Sequence, residues 1–140
     1  ESFDKPYLVG AHISEGIKLP SGESISEIVT KINHKNLLGL ILSCISPENY
    51  EKNLNEIKSL GIPFGFKLNG FVTTKPPSGY TNNFNKSKTG NPNEFLGHRE
   101  DLTPKKMALI AKKFKSAGAT ILGGCCETRP SHIKELSKLK

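Results

Sequence analysis

The sequence predicts an α/β fold: half of a (β/α)8 TIM barrel, built from four strand–helix units with parallel strands. Three observations carry this. Four short apolar runs, Tyr7–Ile13, Leu37–Leu42, Phe64–Leu68 and Ala119–Leu122, read as buried strands. A helix start signal or an amphipathic pattern follows each of them, which is the alternation of α/β architecture. The residues with distinctive chemistry, Cys44, Asn69, Cys125 and Cys126, all fall at strand C-terminal ends, where barrel sites lie. A doubly wound open sheet shows the same alternation, but no Gly-rich phosphate loop follows the first run.

In the first unit, Pro6 precedes Tyr7–Ile13, and a turn at Leu19-Pro20-Ser21-Gly22 leads to Ser24-Ile25-Ser26-Glu27. That tetrapeptide is a capping box, and Ile25, Ile28, Val29 and Ile32 put one apolar stripe on the helix behind it. In the second unit, the unbroken run Leu37–Leu42 suggests a strand buried on both faces. Ser46 caps the next helix, Pro47 takes its first position, Tyr50, Leu54, Ile57 and Leu60 mark its inner side, and Gly61 stops it. The third unit runs from Pro63 through Phe64–Leu68 to Asn69-Gly70. A long loop over about 71–102 follows, rich in Asn, Gly, Ser and Pro, of the kind that serves as a functional lid. Thr103-Pro104 restarts helix, with Met107, Ile110, Ala111, Phe114 and Ala117 inward and Gly118 as the stop. The last unit is Ala119–Leu122, the tetrapeptide Gly123-Gly124-Cys125-Cys126, and a helix from Pro130 with Ile133 and Leu136 facing inward.

At 140 residues the chain suits one domain, 1–140, long enough to bury a core. It begins at Glu1 rather than Met, as expected of a processed chain or of one excised from something longer. No apolar run approaches the roughly 18 residues of a membrane span, and no signal segment opens the sequence. The net charge of +7 comes from lysines spread over helices and loops, without an arginine-rich stripe. It reads as solvated helix faces, so nucleic acid is not the expected partner. Three cysteines, two of them adjacent, do not form a secreted disulfide framework. They fit a reducing, cytoplasmic setting, in which clustered thiols serve metal binding.

Adjacent cysteines make a poor disulfide with each other. With Cys44 they supply three soft ligands, the donor set of a thiolate-bound zinc that keeps one position open for substrate. The alternative is that all three are small buried hydrophobes. Gly123 and Gly124 are expected to act through backbone permissiveness, letting the paired thiols face one ion. Asn69 can hydrogen-bond substrate or its own loop. His12 is expected to pack in the core, His34 to be solvated, His98 to be a plain loop residue, and His132 to pack or to support the site from behind.

Several stretches resemble the homocysteine S-methyltransferase family, zinc-dependent (β/α)8 enzymes. Gly118-Ala119-Thr120-Ile121-Leu122-Gly123-Gly124-Cys125-Cys126 with Pro130-Ser131-His132-Ile133 is similar to the family's terminal zinc motif. Ser43-Cys44-Ile45-Ser46-Pro47-Glu48 resembles the segment that gives the first cysteine ligand. Gly65-Phe66-Lys67-Leu68-Asn69-Gly70-Phe71 resembles the strand that ends near the substrate. Arg99-Glu100-Asp101-Leu102-Thr103-Pro104 and Leu19-Pro20-Ser21-Gly22-Glu23-Ser24 resemble two of the family's loops. The likeness runs nearly end to end, onto the C-terminal half of the barrel, its last four strands. The family's Asp-Gly motif and mid-barrel glutamate, which by analogy hold the amino acid, have no counterpart here. Glu127 stands where Gly is frequent, Arg129 where a small cap is usual, and Lys67 where an aromatic is common.

The resemblance implies zinc on Cys44, Cys125 and Cys126, and substrate contact at Asn69. It implies methyl transfer to the zinc-bound thiolate of homocysteine to give methionine. The enzyme would be the full-length parent. The partners would be homocysteine, a methyl donor, and either the missing N-terminal half-barrel or a second copy. The competing reading is a non-catalytic half-barrel that serves binding or oligomerisation, with a structural metal or none.

Overall fold

A computed structural model describes residues 4–32, 35–75 and 94–140. Strands β1 (Tyr7–His12), β2 (Leu37–Ile45), β3 (Phe64–Leu68) and β4 (Ile121–Gly124) alternate with helices α1 (Ile25–Ile32), α2 (Pro47–Ser59), α3 (Pro104–Ser116) and α4 (Pro130–Leu136). The strands form one sheet in the order β1-β2-β3-β4, and every pair is parallel. This is the expected α/β fold, consistent with half of a (β/α)8 barrel. No helix among the described residues is long and apolar enough to cross a membrane.

Local chemistry sets the helix ends. The Ser24 N–H donates to Glu27 Oε2 at 2.7 Å and the Glu27 N–H to Ser24 Oγ at 3.2 Å, which completes the capping box before α1. Ser46 Oγ accepts from Asn49 N, and Thr103 Oγ1 from Lys106 N, each followed by proline at the first helical position. Gly61 and Gly118 take positive φ just past α2 and α3, where a side chain would be strained. Residues 76–93 of the expected long loop, and His34, lie outside the described residues. The two flanks of that loop meet in a bridge between Phe71 and His98.

One core joins all four helices to the same face of the sheet. Ala11, Leu40, Leu42, Phe64, Phe66 and Leu68 pack there against Ile25, Tyr50, Met107, Phe114 and Leu136. Tyr50, Phe66 and Phe114 meet edge-on or tilted, with ring centroids 4.7 to 5.7 Å apart. The other face carries Gly10, His12, Ile41, Ser43, Gly65, Lys67, Ile121 and Gly123, and among the described residues no helix packs on it.

Three expectations are corrected here. Among the described residues the helices cover only one face of β2; on the other, Ile41 and Ser43 are half-buried. His12 is exposed on the uncovered face, its Nδ1 3.1 Å from Ser43 O, rather than packed in the core. Ile133 is 46% exposed, and the inner side of α4 is His132 with Leu136 instead. The hydrogen bond from His132 to the Leu102 carbonyl turns that face inward.

Candidate metal centre

The three cysteines meet at the C-terminal end of the sheet. Cys44 lies within β2 rather than beyond it. The pairing steps from Ser43 opposite Lys67 to Ile45 opposite Leu68, so Cys44 is a bulged residue left out of the ladder. Its φ of 53° is in the left-handed region, which costs an L-residue about 1–2 kcal/mol. Asn69 holds the bulge from the end of β3. Its Nδ2 donates to Cys44 O at 2.8 Å, its Oδ1 accepts from Phe71 N at 3.2 Å, and its backbone N–H donates to Ile45 O. The Asn69 side chain is fully buried, so the residue expected at the substrate is committed at both ends to the loop beneath it.

Cys125 and Cys126 are placed from β4. The Cys125 N–H donates to Leu68 O at 2.7 Å, and the Gly70 N–H to Cys126 O at 2.9 Å. Thr128 closes the turn, its Oγ1 donating to Cys125 O at 2.6 Å. The bend falls at Glu127, with φ 60°, rather than at the two glycines, neither of which has positive φ. Gly123 and Gly124 instead leave room: a Cβ on Gly124 would stand 2.4 Å from Thr128 Oγ1. The turn that aims the cysteine pair needs that space.

Cys44 Sγ lies 3.8 Å from Cys126 Sγ, Cys126 Sγ lies 3.9 Å from Cys125 Sγ, and all three sulfurs fall within 4.8 Å of one another. Thiolates about 2.3 Å from one tetrahedral ion stand about 3.8 Å apart, so the donor set fits a single metal ion. None of the three is in a disulfide. Burial pushes the Cys44 thiol up to about 12, and the neighbouring sulfurs push in the same direction. Burial and the charge of Cys125 likewise raise Cys126. An ion bound there must displace the protons of its thiol ligands.

Beside the cysteine loop lies a set of polar contacts, of which the sequence reading had singled out His132 but not the Arg99 clamp. Arg99 grips Asp101 at 2.7 Å and Glu48, in the first turn of α2, at 2.8 Å, while its N–H donates to Gly70 O. The Arg99 hydrogen bonds hold the Asp101 carboxyl low; burial works against Glu48, and Arg99 outweighs it to hold that carboxyl low as well. His98 Nδ1 is 3.2 Å from Glu127. His132 is buried; its Nδ1 accepts from Arg129 N at 3.0 Å, so its Nε2 carries the proton that goes to Leu102 O at 2.9 Å. It stands in for the cap that Arg129 lacks. An arginine four residues before a helix cap carries no local pattern pointing to a partner 51 positions away, which is why this clamp was not legible.

Comparison with known proteins gives the family. The family model for homocysteine S-methyltransferase matches residues 1–139. Homocysteine S-methyltransferase 1 of Zea mays is 29% identical over 126 residues, which cover 89% of this chain and 35% of that protein. The protein of the same name from Saccharomyces cerevisiae is 27% identical over 146 residues, covering 96% and 39%. That from Arabidopsis thaliana is 28% identical over 125 residues, covering 89% and 34%. The chain thus spans roughly a third to two-fifths of these curated relatives. With the match running from end to end and three thiols gathered at the strand ends, this chain belongs to the homocysteine S-methyltransferase family.

Proposed function

We propose that the chain is the zinc-binding portion of a homocysteine S-methyltransferase, which transfers a methyl group to the thiol of homocysteine to give methionine. The observation that carries this is the spacing of the Cys44, Cys125 and Cys126 sulfurs, 3.8 and 3.9 Å, which matches three vertices of a zinc–thiolate tetrahedron. The three cysteines would hold the ion and leave the fourth vertex for the substrate sulfur. Zinc in that position supplies a lowered thiol pKa, so that a thiol ordinarily near 8.5 is ionised at neutral pH.

The protein's own contribution is placement. Asn69 fixes the Cys44 bulge from below, and the Gly70 and Thr128 hydrogen bonds fix the cysteine pair, which together aim the three sulfurs at one point. Such preorganisation limits what must be ordered when substrate binds. In the reaction the substrate sulfur loses its proton and its electron pair forms a bond to the donor methyl carbon. The bond from that carbon to the donor heteroatom breaks, and the heteroatom leaves with the pair. A donor with a positive sulfonium or ammonium leaves neutral, which favours the displacement. We assign the rest of the substrate site to the complementary half-barrel, supplied by more of the polypeptide or by a second copy.

Zinc per chain, measured by plasma mass spectrometry after dialysis under reducing conditions, tests the assignment. The wild type is expected to retain about one ion, and Cys126→Ser to bind at least about tenfold more weakly. A wild-type chain that retains no zinc in reducing buffer rejects the reading.

A further inference from the structure

His12, Ser43, Lys67 and Gly123 form one row across the four strands, on the face opposite the helices. It is the last row before the metal site: Cys44 follows Ser43, and Cys125 stands two residues beyond Gly123. At about 3.3 Å per residue, the cysteine backbone is roughly 3–7 Å further along the strand direction. Lys67 is exposed there. Its stem runs beside Gly123, where a Cβ would come 3.4 Å from Lys67 Cγ. Among the described residues, the carboxylates in ion pairs are Glu48, Glu51, Asp101, Glu127 and Glu135, none of them with Lys67. The row behind it, Gly10, Ile41, Gly65 and Ile121, offers no anion either. Asn69, two residues on, is neutral and committed to Cys44 and Phe71.

An unpaired ammonium beside a thiol-binding position is suited to a ligand that carries both a thiol and an anion. In homocysteine the carboxyl carbon is four bonds from the sulfur, roughly 5 Å when extended at about 1.5 Å per bond. That length spans the step from the cysteines back to the Lys67 row.

We propose that Lys67 is the carboxylate anchor of the thiol substrate and so a determinant of specificity for an amino acid thiol. This rests on the methyltransferase reading, because that reading puts the substrate sulfur at the cysteines.

Cobalt(II) in place of zinc gives a visible spectrum that reports thiol coordination without turnover. The cobalt-loaded chain is titrated with homocysteine and with 3-aminopropane-1-thiol, which keeps the thiol and amine but lacks the carboxylate. The wild type is expected to bind homocysteine three- to fivefold more tightly, on the scale of a solvent-exposed ion pair, and 0.5 M salt should abolish the preference. Lys67→Met should remove the preference while leaving the carboxylate-free thiol unchanged, and Lys67→Arg should keep it. Equal weakening of both thiols in Lys67→Met, or an unchanged preference, overturns the proposal alone. A cobalt spectrum that responds to neither thiol overturns the substrate reading and the anchor together.

Discussion

Cys44 is held in a backbone conformation that a side chain disfavours, and its ability to meet Cys125 and Cys126 depends on what keeps it there. Asn69 is that restraint, with its amide on the Cys44 carbonyl and its own oxygen occupied by Phe71. Asn69→Ala would remove the donor and leave the Cys44 carbonyl and the Phe71 N–H without their partner. Loss of a group that orients a metal ligand typically lowers affinity about 10- to 100-fold. We expect Asn69→Ala to fall in that range in a competition titration against a chromophoric zinc chelator, with the far-ultraviolet circular dichroism unchanged. Unchanged zinc affinity would show that the bulge holds without it. At this scale the sequence was legible in part. The cysteines and Asn69 announced themselves by residue type and strand-end position. The bulge did not, because a register slip depends on two strands at once and leaves no local pattern. The roles of Gly123 and Gly124 were misread for the same reason: their neighbours, Lys67 and Thr128, are set by tertiary contact.

Elements obey the same division between local and distant causes. Helix starts at Ser24, Ser46 and Thr103, and helix stops at Gly61 and Gly118, followed from residues within one turn, and the structure has them. The burial of α4 did not, since periodicity alone put Ile133 inward whereas a hydrogen bond from a buried histidine decided for His132. Strand packing gives a sharp prediction. β3 and β4 approach so closely at Gly65 that a Cβ there would stand 1.8 Å from Ile121 O, a backbone atom that cannot swing aside. Gly65→Ala must therefore push the two strands apart, and with them Asn69 and the cysteine pair. A loss of about 3 kcal/mol or more is expected in urea unfolding, together with weaker zinc binding. A variant with wild-type stability would mean that β4 can shift without cost. Glycine in a strand marks such close approach in general, yet nothing local in Phe64-Gly65-Phe66 says which neighbour comes near.

Among the described residues the sheet has one covered face and one bare one. The run Leu37–Leu42 suggested burial on both sides, and what that run could not reveal is that these four units supply helices to one side only. The bare face of the described residues carries Gly10, Ile41 and Ile121 around Lys67 and His12, and Leu8 at its edge is 47% exposed. Among the described residues β1 and β4 each have a neighbouring strand on one side alone, so both outer edges present backbone groups for further pairing. In a closed barrel those edges join other strands and the bare face becomes the filled interior. The chain, at 15.3 kDa, is therefore expected to self-associate at tens of micromolar and to bind a hydrophobic dye such as anilinonaphthalene sulfonate. Light scattering over a concentration series measures the first and fluorescence the second. A complementary half-barrel that closes the sheet should suppress both while leaving zinc per chain unchanged, because all three cysteines belong to this half. A 15.3 kDa species at every concentration, with no dye signal, would instead mean that the face is covered from within this chain. The metal site would then lie under a lid, and the substrate sulfur would need that lid to open.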